Sequence, residues 1–227
     1  MKKYFYLFIF LLSNLNAFAD TNNYKSLSKI EMDVFRNGEK IGFSNYIFNH
    51  KKNKMEVKNN TEFEVKLFGV NLLSIKSSSI EKYENNKLIN FSSKTIQNNK
   101  KKFVKLELNK DTNKFIIDGS SFKGKTDTDK VIGNWWNVNM LSVNSQISPL
   151  SGSIKEQVVK LIGREKIVID GKSYETLKYR LKSKNQNLPE DKKLDFEIWL
   201  DPEKGLLVKI SYERMGKWEY ILNNYRQ

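Results

Sequence analysis

The sequence predicts a mainly β protein: a curved antiparallel sheet or open β-barrel carrying one short inserted helix. Three observations support this. Apolar residues alternate with polar ones through most of the chain, short polar turns rich in Asn, Gly and Lys punctuate that alternation, and the alternation fails over a single internal segment, 126–153.

The first segment is of another kind. "MKKYFYLFIFLLSNLNAFAD" sets two lysines before an apolar run from Tyr4 to Leu12, then Ala17-Phe18-Ala19 before Asp20. This is the order of a secretory signal peptide, expected to be removed after residue 19. The run is too short for the roughly 20 apolar residues that cross a bilayer, so no transmembrane segment is expected after cleavage. Residues 20–227 are expected to form a single β-rich domain in the periplasm or outside the cell. With no cysteine in the chain, neither a disulfide nor a lipid-modified thiol is available, and the domain must be held by its core.

Ile30, Met32 and Val34 alternate with Glu31 and Asp33, as in a half-buried strand. Asn37-Gly38 supplies the positive φ angles of a tight hairpin, and Ile41 and Phe43 open the return strand. The same period recurs through Phe63, Val65 and Leu67 and through Val104, Leu106 and Leu108. Separated by "ENNK", "QNNKKK" and "NKDTNK", these runs predict six to eight antiparallel strands before residue 125.

The rhythm breaks over 126–153. At helical spacing Ile132, Trp136 and Met140 form one stripe of a short helix, ended by Pro149 and "SPLSGS". Trp136 then anchors the helix to the sheet, Asn137 hydrogen-bonds its start, and Trp135 lies about 100° away, free to cap a cavity mouth or cover a sheet edge. Strands resume with Val159 and Leu161, Ile167 and Ile169, then Leu177, Tyr179 and Leu181 opposite Lys178, Arg180 and Lys182. After the charged loop "KSKNQNLPEDKK" come two strands divided by Asp201-Pro202-Glu203-Lys204-Gly205, and a last one with Trp218, Tyr220 and Leu222 on one face.

Trp136-Asn137, "LSGSIKEQVVKLIGREKIVIDGKSYETLKYRL", "FEIWLDPEKGLLVKISY" and "GKWEYILNN", in that order, resemble a family of exported bacterial β-proteins catalogued as domain of unknown function 6134. Gly163, Glu165, Gly171, Trp199, Asp201, Gly205, Leu207, Val208 and Lys209 fit its pattern, and "VFRNGEKIGF" matches more loosely. The charged loop before Trp199 is longer than that pattern. In outline such proteins are also similar to lipoprotein carriers, whose half-barrel holds acyl chains under a helical lid; that likeness is one of fold.

Catalytic chemistry finds few candidates. The only histidine, His50, reads as a solvated turn residue in "FNHKKNK", and no G-x-S-x-G is present, which leaves nucleophilic triads without a base. Asp127 and Asp129 lack the rest of a calcium loop, and Glu62 and Glu64 alternate with Phe63 and Val65 and so point at water. No catalytic residue, metal ligand or cofactor site is therefore assigned. The formal charge of +14 falls to +12 once Lys2 and Lys3 are removed, but lysine and asparagine are spread along the whole chain. A nucleic-acid partner is not expected, whereas an anionic envelope surface is a candidate partner.

What remains is a concave face lined by aromatics. The leading expectation is a non-enzymatic protein of the cell envelope that binds an apolar or amphipathic, lipid-like ligand there, with Trp135, Trp136, Asn137, Trp199 and Trp218 as candidate ligand-binding residues. The alternative is a structural or interaction module of the periplasm whose core is filled and holds no small molecule.

Overall fold

The computed structural model describes Tyr24 and residues 26–227, so the leader expected at 1–19 lies outside the described residues. Among the described residues, fifteen strands form one sheet. The first eight are β1 (Lys29–Arg36), β2 (Glu39–Lys51), β3 (Lys54–Leu67), β4 (Val70–Glu84), β5 (Lys87–Gln97), β6 (Lys100–Asn109), β7 (Lys114–Gly119) and β8 (Lys123–Asp127). The remaining seven are β9 (Val131–Ile132), β10 (Ser145–Ile147), β11 (Ile154–Ile169), β12 (Lys172–Ser183), β13 (Asp195–Asp201), β14 (Leu206–Glu213) and β15 (Lys217–Arg226).

From one edge the order is β8 back to β1, then β15 back to β9. The chain is thus two antiparallel meanders joined at β1 and β15, where Lys29 stands opposite Arg226 and Arg36 opposite Trp218. The sheet does not close, since β8 and β9 remain its two edges. Among the described residues, only the short pair β9 and β10 is parallel.

The turns follow the local chemistry read from the sequence. Asn37, Asn85, Asn98 and Asp170 all adopt φ near +50°, the left-handed conformation that two-residue hairpins require and that Asn, Asp and Gly tolerate best. Gly42 answers a different need. A Cβ there would stand 2.1 Å from the Glu62 carbonyl oxygen and 2.5 Å from the Phe63 Cβ, so only glycine lets β2 and β3 approach at that point.

The inserted segment is shorter in helix than its apolar spacing predicts. Ile132, Trp136 and Met140 are all buried, but Ile132 belongs to β9, Trp136 to the turn after it, and the helix is a single 3-10 turn, Val138–Leu141. The asparagines account for the difference, because they offer the backbone local alternatives to helical bonding. The Asn137 N–H donates to the Asn134 carbonyl, and the Asn137 side chain caps the turn by accepting from the Asn139 N–H at 3.1 Å, the role expected of it. His50 also departs from expectation. It sits near the end of β2 rather than in the turn, its Nε2 is 2.8 Å from the Leu27 carbonyl oxygen, and its ring stacks on Phe48.

Candidate functional site

Segment 131–153 lies in the hollow of the curled sheet and fills it. Ile132, Val138, Met140 and Ile147 are between 0 and 3% exposed. The Ser93 hydroxyl donates to the Pro149 carbonyl at 2.6 Å, and the Gln157 amide donates to the Met140 and Val143 carbonyls. The segment is therefore pinned to β5 on one side and β11 on the other.

The two adjacent tryptophans face opposite halves of the sheet. Trp135 packs edge-on to Phe196 at 5.1 Å and against Tyr220 at 5.8 Å, beside the strands of the second meander. Trp136 meets Tyr24, Phe48 and Tyr83 edge-on at 5.2 to 5.8 Å, within the first. Edge-to-face aromatic pairs contribute about 0.5–1.5 kcal/mol each beyond the area they bury, so the doubled tryptophan rivets the plug to both halves.

Beneath Trp136 is a buried carboxylate. Glu81 is 1% exposed on β4 and accepts three hydrogen bonds: from the Trp136 Nε1–H at 2.8 Å, the Asn134 amide at 2.6 Å and the Tyr83 hydroxyl at 2.5 Å. Burial raises its pKa above the ordinary 4.5, outweighing the three donors, which act in the opposite direction. Tyr83 is held well above its usual value by burial and by the neighbouring Glu81 charge, and burial pushes the Tyr46 hydroxyl up to about 12. Tyr83, Asn134 and Trp136 are all bonded to Glu81, which works as a pin between sheet and plug.

A polar band crosses the otherwise apolar inner face of β2 to β5. Ser44 and Thr61 hydroxyls are 2.7 Å apart, as are those of Ser77 and Thr95, while the Asn59 amide donates to the Ser44 hydroxyl at 3.2 Å. This polar band and the plug above it occupy the surface on which a lipid was expected to lie.

Open space is found instead at one end of the half-barrel. A cleft of about 490 Å³ lies between the β2–β3 turn, the β4–β5 turn and the plug. Tyr24, Met55, Tyr83 and Trp136 give it apolar surface, and His50, Lys52, Lys54, Asn137 and Asn139 give it polar groups. Its walls are fixed: the Tyr24 hydroxyl accepts from the Val138 N–H at 2.9 Å, and Trp136 and Tyr83 are both bonded to Glu81. A wider trough of about 870 Å³ runs over the outer face of β3 to β7, where Lys58, Lys94, Lys105, Ser78 and Ser92 line it. It is the more open of the two, so the end cleft is the better-enclosed site.

Of the residues expected to bind a ligand, Trp136 and Asn137 come together at this cleft. Trp135 is directed into the second meander. Trp218 lies with it in a chain of aromatics running through Phe196 and Tyr212, and its Nε1–H donates to the Arg214 carbonyl at 2.9 Å. Trp199 is on the other face of the sheet from Phe196 and Ile198, held between Lys178 Nζ at 4.6 Å and Lys209 Nζ at 5.2 Å from its ring. The sequence reading missed Tyr24, Glu81 and Tyr83. Parity carried a signal for two of them, since Ile75, Ser77, Ser79, Glu81 and Tyr83 share one face of β4 and are all buried.

The family model described as Domain of unknown function (DUF6134) matches residues 32–223. No curated protein matches the chain. Among solved structures, a beta-barrel-like protein of domain of unknown function DUF1849 from Brucella abortus is similar over 88% of this chain and 97% of its own, with a TM-score of 0.61 and 9% sequence identity. At that identity the likeness is one of fold.

Proposed function

The chain belongs to the DUF6134 family, and from its plugged half-barrel we propose that it is an exported, non-enzymatic protein of the cell envelope that binds an amphipathic, lipid-like ligand in the end cleft. The observation that carries this reading is the composition of the cleft. Tyr24, Met55 and Trp136 offer an apolar wall, with asparagine amides and the cations of Lys52 and Lys54 at its margin. A ligand would lay its short apolar part on the aromatics and present a polar or anionic head to the amides and lysines. The cleft's size falls in the usual range for small-molecule sites, about 300–1,000 Å³. The leader motif supports export, and the mutual bonding of Glu81 and Tyr83 supports a binding role over catalysis.

The test is to purify the mature protein from its native bacterium, extract it, and identify co-purifying amphiphiles by mass spectrometry. Met55→Trp, which fills the cleft, is expected to abolish their recovery while leaving the melting temperature nearly unchanged. Recovery of the same amphiphile from the filled variant would refute the cleft as the site.

A second reading has its own support: a structural or interaction module of the periplasm with no small-molecule ligand. It rests on the plug, whose buried side chains occupy the interior that a carrier would leave open. Extraction that yields nothing above a blank favours this reading.

A further inference from the structure

Two exposed apolar side chains stand where the local backbone disfavours them. In the β3–β4 turn Phe68 adopts φ +49° and is 96% exposed, followed by Gly69 at φ +79°. At the equivalent position of the other five two-residue hairpins this chain uses Asn37, Asn85, Asn98 and Asp170, residues that tolerate that conformation, and once a polar Lys52, but no other apolar residue. In the β14–β15 turn Met215 adopts φ +50° and is 86% exposed, before Gly216. A large apolar side chain in this geometry costs stability and buries nothing within the protein.

Topology brings the two together at one end. Because successive strands are antiparallel, the turns after β1, β3, β5 and β14 all lie at the end opposite the cleft, which is bordered by the turns after β2 and β4. The β3–β4 hairpin also overhangs its neighbours. Its pairing with β2 stops at Phe63 and its pairing with β5 at Ile75, so residues 64–74 form a two-stranded ribbon, gripped at its base where Asn98 exchanges hydrogen bonds with Ser74. Val70 and Leu72 on this ribbon are 63% and 44% exposed. Exposed cations border the two tips: Lys66, Lys100, Lys101, Arg214 and Lys217.

We propose that this end of the half-barrel docks on a lipid bilayer with anionic headgroups, Phe68 and Met215 entering the interface while the surrounding lysines and arginine meet the phosphates. Charge complementarity selects this occupant. The apolar tips are small and separate, and the five cations around them outnumber the exposed acids Glu39, Glu64 and Glu213, although Lys66 pairs with Glu64 and Lys217 with Glu219. The proposal is independent of what occupies the cleft, which opens at the other end.

The experiment is co-sedimentation of residues 20–227 with vesicles of phosphatidylcholine, with and without phosphatidylglycerol. Binding is expected with phosphatidylglycerol only, and it weakens as salt rises, because exposed charges are screened beyond about 10 Å at 0.1 M salt. Phe68→Asn restores the ordinary hairpin residue, so it keeps or raises the melting temperature, yet it lowers vesicle binding by about tenfold. Met215→Asn should act in the same direction. Absence of binding to anionic vesicles, unchanged binding by the folded Phe68→Asn protein, or a dimer in solution that Phe68→Asn dissociates would each overturn the proposal.

Discussion

Replacing Glu81 separates the two jobs a buried carboxylate can do. Its Oε1 accepts from Asn134 and Trp136, and its Oε2 from Tyr83. Glu81→Leu leaves three buried donors without an acceptor. Each unmet buried donor costs about 1–3 kcal/mol, and after partial relaxation we expect a loss of about 3–5 kcal/mol. Against a typical domain stability of about 5–15 kcal/mol, that lowers the urea midpoint by more than about 1 M. Glu81→Gln behaves differently. Its carbonyl oxygen keeps the bonds from Asn134 and Trp136, and the Tyr83 hydroxyl, able to accept as well as donate, turns to receive the new NH₂. The loss should stay within about 1 kcal/mol.

The two proteins also differ in their response to pH. Because burial raises the folded pKa of Glu81 above 4.5, the folded state retains a proton that the unfolded chain releases. This contribution is fully present below the unfolded pKa and is lost as pH rises toward the folded one, at up to about 1.4 kcal/mol per pH unit. The Gln variant lacks it, so its stability relative to wild type should improve as pH increases through that window. Urea titrations at several pH values from below 4.5 upward would measure both curves. Parallel curves for wild type and Glu81→Gln, or a Gln loss equal to the Leu loss, would refute the reasoning.

Trp136→Phe keeps the aromatic contacts but withdraws the Nε1–H donor from Glu81, and is expected to cost about 1–2 kcal/mol by urea denaturation. Gly42→Ala forces a Cβ into the Glu62 carbonyl; a destabilisation above about 2 kcal/mol should appear in thermal melts, whereas a neutral effect would show that β2 and β3 can separate there. Trp199→Leu removes the ring between Lys178 and Lys209, costs less than about 2 kcal/mol, and leaves the recovery of bound amphiphile unchanged, since this residue faces away from the plug and the cleft.

The sheet was legible because its signal is local. Alternation at Ile30, Met32 and Val34 and asparagine at the hairpin turns predict strands and connections without reference to distant residues, and all of these stand in the structure. The short parallel pairing of β9 with β10 left no such trace, as two and three residues are too few to show a period. The site was half legible for the same reason. Trp136 and Asn137 stood out by composition, but the cleft is completed by Tyr24, Met55 and Tyr83 from segments distant in sequence. Trp199 drew attention as an aromatic, yet strand parity assigns it to the outer face. The polar band of Ser44, Thr61, Ser77 and Thr95 alternates as regularly as an apolar one, and a reading that followed only apolar residues passed over it.

The seam between β1 and β15 has a consequence for the order of assembly. Every other antiparallel neighbour is also a neighbour in the chain, so each meander can zip up hairpin by hairpin from contacts of short range. The seam joins Lys29 to Arg226 and lies inside the sheet, flanked by strands on both sides. Its closure carries the loop entropy of almost the whole described chain, and it needs the last strand to have been synthesised. The centre of the sheet is therefore completed after its flanks, and loss of β15 would divide the molecule into two curved ribbons, each with an unpaired edge where the middle had been.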